Sequence, residues 1–247
     1  MEKACMGESM EHGPREMDDI PRLEMFTSPE ADRVFGGMYE NLVAAVGERS
    51  PSAVLVCCPS KGEGATTVAV GLALAASQRQ NGDVLLMDFN VHNPCVLRVF
   101  GAGEGRLPVP LSPREKEKLI HEATEKYGCS GSVISGTSHA NLTLVSAQGL
   151  DRKHLQCLES SSFRGLLEEF SKVFRLTVID GPPVNLYPES ALLSSAVDGV
   201  LLVLHAGSTR APVAAKAVER LSFGGCALQV ILNRRQFPIP PSVYRRL

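Results

Sequence analysis

Cys57-Cys58-Pro59-Ser60-Lys61-Gly62-Glu63-Gly64-Ala65-Thr66-Thr67 is the stretch on which the reading of the chain turns. Before it runs Ala53-Val54-Leu55-Val56-Cys57, a short continuous apolar run suited to a strand buried on both faces of a parallel sheet. After it, Thr66 to Gln78 is rich in Ala, Val and Leu, as expected of a helix packed on such a sheet. A glycine turn between strand and helix aims backbone N–H groups and the positive end of the helix dipole at one point, the arrangement that cradles a phosphate. In the common form of this loop a lysine ammonium reaches the outer phosphates and a Ser/Thr hydroxyl holds Mg²⁺. Here the glycines and the hydroxyls of Thr66 and Thr67 are present, Ala65 stands where the lysine belongs, and Lys61 stands four positions earlier. The stretch predicts a bound nucleotide and leaves phosphate transfer without its usual cation.

Outward from the loop, apolar runs recur with helical segments between several of them. Val84 to Asp88, Leu142 to Val145, Leu176 to Asp180, Gly199 to His205 and Leu228 to Asn233 read as strands, and Phe163 to Val173 and Pro212 to Leu221 as helices. This alternation predicts an α/β fold, a doubly wound and mostly parallel sheet flanked by helices. Pro29 to Val46 reads as a preceding helix with Val34, Met38, Leu42 and Val46 on one face. Residues 1–27 mix charges, Gly and Pro without apolar periodicity and read as a linker arm, leaving 28–247 as a single domain. The segment 101–140 begins with prolines and contains a Lys/Glu-rich stretch from Pro113 to Lys126, read as an exposed helix and loop at the sheet's edge.

Composition narrows the function classes. The chain has 247 residues, 44% of them hydrophobic, and a formal net charge of -2, so no general nucleic-acid binding is expected. Arg234, Arg235, Arg245 and Arg246 make only its end locally basic. The 7 cysteines show no metal-type spacing and read as reduced thiols of a cytoplasmic protein, Cys57 packing as a small apolar residue. No apolar run reaches the roughly 18 residues that a bilayer span needs, so recruitment to the inner face of the cell membrane would go through a partner.

Two of the strands end in aspartate. In an open parallel sheet ligands bind beyond the carboxyl ends of the strands, so Asp88, Asp180 and the glycine loop are expected to share one crevice. There a carboxylate holds Mg²⁺ or its waters, or orients a nucleophile. An aspartate after a strand is also a common turn former.

These residues carry a resemblance. Val84-Leu85-Leu86-Met87-Asp88-Phe89-Asn90-Val91-His92-Asn93-Pro94 with Phe100-Gly101, Val178-Ile179-Asp180-Gly181-Pro182-Pro183, Asp198 to Val203, and Leu232-Asn233-Arg234-Arg235 with Ile239-Pro240 resemble the bacterial tyrosine kinases of capsule and exopolysaccharide assembly. That family is itself related to the deviant P-loop partitioning ATPases. The resemblance implies ATP or ADP with Mg²⁺ as ligand, and Lys61, Gly62, Glu63, Gly64, Ala65, Thr66 and Thr67 as the phosphate cradle. It makes Thr66, Asp88 and Asp180 the metal-binding residues and Asp88, Asp180 and Lys61 the catalytic candidates. Asn233 contacts adenine on this reading, with Arg234 beside it. The implied partners are a membrane copolymerase or chain-length regulator and further copies of the chain in a homodimer or homo-oligomer.

The chain departs from the family at several positions. Ala65 replaces the phosphate lysine, Asn90 replaces a second aspartate, and His92 and Asn93 stand where arginine is common. The tyrosine-rich tail is reduced to Tyr244, and Gly36 interrupts the arginine spacing of the helix bearing Glu30 and Arg33. Three functions follow as alternatives: an ATP-dependent kinase with impaired catalysis, a catalytically silent scaffold of the same machinery, and a partitioning-type ATPase that uses Lys61. His92 and His205 read as hydrogen-bonded structural residues.

Overall fold

A computed structural model describes residues 22–46, 52–79, 82–101, 114–129, 132–139, 141–147 and 160–235. The strands are β1 (Ser52–Cys57), β2 (Asp83–Asp88), β3 (Val133–Gly136), β4 (Leu142–Ser146), β5 (Phe174–Asp180), β6 (Gly199–His205) and β7 (Ala227–Asn233). Between and before them lie α1 (Pro29–Val46), α2 (Ala65–Arg79), α3 (Val96–Val99), α4 (Arg114–Lys126), α5 (Ser160–Ser171), α6 (Glu189–Ser194) and α7 (Ala211–Ser222). The strands form a 7-stranded sheet in the order β3-β4-β2-β5-β1-β6-β7. All pairings are parallel except β3 with β4.

Alternate side chains of the central strands feed two cores. Val54 and Val56 of β1, Val84 and Leu86 of β2, and Leu201 and Val203 of β6 pack on the face that α2 covers. Leu55 and Cys57, Leu85 and Met87, and Val200 and Leu202 pack on the other, against Phe163, Leu166 and Phe170 of α5 and Ala217 and Leu221 of α7. Burial on both faces is why these strands are apolar throughout rather than alternating.

The edges depart from the sequence reading. β3, inside the segment read as helix and loop, is an antiparallel edge strand pairing Ile134 with Val145. α4 forms within the Lys/Glu-rich stretch but is not wholly exposed: Ile120 and Ala123 are buried against the sheet and α5. In α1 the inward stripe is Phe35, Met38, Tyr39 and Leu42, whereas Val34, expected on that stripe, is 58% exposed. Gly36 leaves room for Arg79, whose guanidinium lies where a Cβ would stand and pairs with Asp32 at 2.7 Å. Leu23–Phe26, read as part of the arm, forms a 3-10 turn whose Phe26 is buried beside Phe35, ring centroids 5.7 Å apart. Residues 1–21, Ile239, Pro240, Tyr244, Arg245 and Arg246 lie outside the described residues.

Candidate nucleotide site

The β1–α2 loop opens onto a cleft of about 360 Å³ at the carboxyl ends of the central strands. Cys58, Lys61, Gly62, Gly64, Ala65, Thr66 and Thr67 line one side, and Asn90, His92, Asn93, Cys95 and Arg98 line another. Gly181, Pro183, Tyr187 and Arg234 complete it.

The loop is held from both flanks. Val184 N–H and Asn185 N–H donate to the carbonyls of Cys58 and Pro59, at 2.8 and 3.3 Å. Asn233 Nδ2 donates to the Glu63 carbonyl at 2.9 Å, and Asn233 Oδ1 accepts from Arg234 N–H at 2.9 Å. Gly64 makes this approach possible: its φ of +94° belongs to the left-handed region, and a Cβ there would fall 2.1 Å from Asn233 Nδ2. Glu63, expected in the cradle, turns its buried carboxylate away from the cleft. Its Oε2 accepts from Thr209 Oγ1 at 2.9 Å and from His205 N–H at 3.3 Å. Glu63 and Asn233 therefore shape the loop, and neither side chain lines the cleft. Lys61 and Gly62 are exposed at its mouth, and Ala65 is buried at the start of α2.

Asp88 and Asp180 are register partners across β2 and β5, which brings the two carboxylates together beneath Thr66. Thr66 Oγ1 donates to Asp180 Oδ2 at 2.7 Å, while Asp180 Oδ1 is buried with no hydrogen-bond partner among the described residues. Asp88 Oδ2 accepts from Val96 N–H at 2.9 Å and Oδ1 from Asn90 N–H at 3.3 Å. Asp88 thus serves as a turn former that clamps the β2–α3 segment while standing next to Asp180. Burial, reinforced by the charge of Asp88, raises Asp180 well above the usual carboxylate range against the lowering bond from Thr66. Burial likewise pushes Asp88 up to about 6, opposed by the N–H groups of Val96, Asn90 and Cys95 and by the charge of Arg98.

Among the described residues no group of three or more His, Cys, Asp or Glu is arranged to hold a metal. Magnesium rarely needs one: it is commonly bound by one or two carboxylates, a hydroxyl, water and substrate phosphates. Thr66 Oγ1 and the unpartnered Asp180 Oδ1 are hard oxygen donors of that kind, and the residues present fit the ion. Asn90 Oδ1 is likewise buried and without a partner among the described residues.

Four residues of the cleft region did not stand out in the sequence. Tyr187 stacks on His92, centroids 3.5 Å and planes 10° apart, and buried Glu189 meets His92 Nε2 at 2.8 Å through Oε1. Cys95 Sγ lies 3.7 Å from Thr66 Oγ1, its thiol pushed up to about 12 by burial and by Asp180 and Asp88. Arg98 is the fourth. Glu189 and Tyr187 sit in a stretch whose turn residues hid them, and Arg98 had only its charge within Val96-Leu97-Arg98-Val99 to mark it.

A glycine loop between the first strand and its helix, in a mostly parallel sheet with strand-end aspartates on β5 and β2, defines a P-loop ATPase fold of the partitioning-ATPase type. The chain is similar to bacterial tyrosine-protein kinases. It is 26% identical over 184 residues to tyrosine-protein kinase YwqD of Bacillus subtilis, covering 74% of this chain and 71% of that one. It is 27% identical over 175 residues to tyrosine-protein kinase CpsD of Streptococcus agalactiae, covering 70% and 71%. Among solved structures the VpsO kinase domain superposes with a TM-score of 0.65 at 27% identity, covering 84% of this chain and 95% of that one. A ParA family ATPase from Chlorobium tepidum shares the fold, with a TM-score of 0.54 at 13% identity over 80% and 79% of the two chains. No protein-family model matches the chain.

Proposed function

We propose that the chain binds ATP or ADP with Mg²⁺ in this cleft and acts as a tyrosine-kinase-like regulator of capsule or exopolysaccharide assembly, with catalysis impaired by Ala65. The observation that carries the reading is the Thr66–Asp180–Asp88 cluster beside the glycine loop, with its unpartnered Asp180 Oδ1. The similarity to YwqD, CpsD and the VpsO kinase domain supports it.

The loop amides at the N-terminus of α2 receive the phosphate oxygens, and the glycines let the backbone approach them. Thr66 presents its hydroxyl beside Asp180, and Arg234, at the end of β7 with φ of +55°, lines the cleft beyond the loop. Bound Mg²⁺ would neutralise developing charge on the transferring phosphoryl group. Asp88, in its unprotonated form, would assist an incoming tyrosine hydroxyl as base. Removing one preorganised cation from that charge costs about 10²- to 10³-fold in rate, which is the deficit assigned to Ala65. Recruitment to a membrane copolymerase or chain-length regulator, and assembly with further copies of the chain, belong to the same proposal; among the described residues no helix is long and apolar enough to cross a membrane.

The scaffold reading is favoured by Ala65 alone, and the retained Thr66, Asp88 and Asp180 weigh against it. Titration of the purified chain with MgATP by calorimetry, with a phosphotyrosine assay on the parent and on Ala65→Lys, separates the readings. Binding with weak phosphorylation that rises in Ala65→Lys is expected. Absence of nucleotide binding overturns the proposal, and binding without phosphorylation in either form leaves a scaffold.

A further inference from the structure

We propose that Arg98 supplies the phosphate-binding cation that the glycine loop lacks, reaching the outer phosphate from the opposite wall of the cleft. The inference rests on the nucleotide reading of the cleft and adds a residue to it.

Arg98 lines the same cleft as Ala65, Thr66 and Thr67. Its positive charge is felt by Asp88 and Cys95, whose ionisation it favours. Cys95 Sγ is 3.7 Å from Thr66 Oγ1, and that hydroxyl is 2.7 Å from Asp180 Oδ2. Arg98 therefore lines the cleft together with Thr66 and with Cys95, the residue one helical turn before it that touches the Thr66 hydroxyl.

The backbone beneath Arg98 is rigidly placed. Val96, Leu97 and Val99 of α3 are buried, and the Asp88 carboxylate accepts from Val96 N–H at 2.9 Å, so Arg98 is the one side chain of this short helix turned outward. Among the described residues its guanidinium makes no hydrogen bond or ion pair. A cation with a fixed base, unspent donors and an anion-accepting loop across from it is arranged for a ligand rather than for a protein partner.

The other basic groups of the cleft are placed differently. Lys61, exposed like Arg98, belongs to the loop itself, Arg234 follows the end of β7, and His92 is engaged by Glu189 and Tyr187.

The test is calorimetric titration of the full chain with MgATP and separately with MgADP, in the parent, R98A, R98K and the double variant A65K/R98A. A charge-assisted contact to the outer phosphate predicts MgATP binding weakened about tenfold or more in R98A, with MgADP changed less than about threefold. R98K is expected to bind close to the parent. A65K/R98A is expected to recover MgATP binding, because the ammonium returns from the loop side. Circular dichroism checks that each variant folds, and R98Q replaces R98A if it does not. MgATP binding in R98A equal to the parent overturns the inference, as does equal weakening in R98A and R98K, which would assign packing rather than charge. A parent that binds neither nucleotide overturns the reading of the cleft together with the inference.

Discussion

The glycine loop and the β2–α3 segment line one cleft, and they contribute different features to it. The loop keeps its backbone geometry: Gly64 at φ +94°, the Glu63 carbonyl taken by Asn233 and the Glu63 carboxylate taken by Thr209. Ala65 stands buried at the head of α2 where the usual lysine would be, and the loop's own cation, Lys61, is exposed at the mouth. The β2–α3 segment is clamped by Asp88 and brings Arg98 and His92 to the cleft, where His92 meets Tyr187 and Glu189 from the segment after β5. The contrast teaches that backbone shape and side-chain charge can sit on different segments of one cleft.

The sharpest way to break this comparison is Gly64→Ala. The new Cβ meets Asn233 Nδ2 and the backbone must leave its left-handed conformation. Strain of about 1–3 kcal/mol concentrated in the loop is expected to weaken MgATP binding by up to roughly 100-fold, read by calorimetry. Binding unchanged from the parent would show that the loop does not shape the site.

Asp88→Asn probes the other wall through stability. Burial raises the Asp88 pKa in the folded state to about 6, above its usual value, so the folded protein holds that proton more tightly than the unfolded chain. The sign follows: this group's contribution is fully present below the unfolded pKa near 4 and is lost as pH rises through 6. At pH 7.5 the buried charge therefore costs on the order of 3 kcal/mol, and Asp88→Asn is expected to be more stable by up to that amount, the gain vanishing at pH 3.5. Urea unfolding at the two pH values checks it, and a gain equal at both would remove the electrostatic account.

Thr209→Val removes a hydrogen bond from the buried Glu63 carboxylate and is expected to cost about 2 kcal/mol. A loss below about 0.5 kcal/mol in urea unfolding would show that water replaces the hydroxyl. The smallest effect is expected at Lys61→Ala. An exposed ammonium at the mouth is screened by salt, so MgATP affinity should fall by no more than about threefold. A loss above tenfold would return the cation to the loop wall and undo the contrast.

The readable parts of the fold were those whose physics is local. The central strands β1, β2 and β6 are largely apolar because both faces are covered, and a run such as Val54-Leu55-Val56 advertises that without an alignment. β3 did not, because Val133-Ile134-Ser135-Gly136 is short, polar in part and an edge strand with one neighbour. In α1 the expected residues Met38 and Leu42 pack inward, and of the expected stripe Val34 does not. Packing chose Phe35, which lies where a Cβ of Gly71 in α2 would stand, and left Val34 to solvent.

The site divides along the same line. Sequence alone determined the glycine loop, the two strand-end aspartates and the missing lysine, because a turn that needs left-handed backbone and a carboxylate that ends a buried strand are written in adjacent residues. Only the tertiary structure turned Glu63 toward Thr209, made Asp88 a clamp as well as a neighbour of Asp180, and carried Arg98 to the cleft that holds Ala65. Those outcomes depend on which strands lie side by side and which side chains their packing leaves free, and residues 33 positions apart meet only when β2 and β1 flank β5 in one sheet.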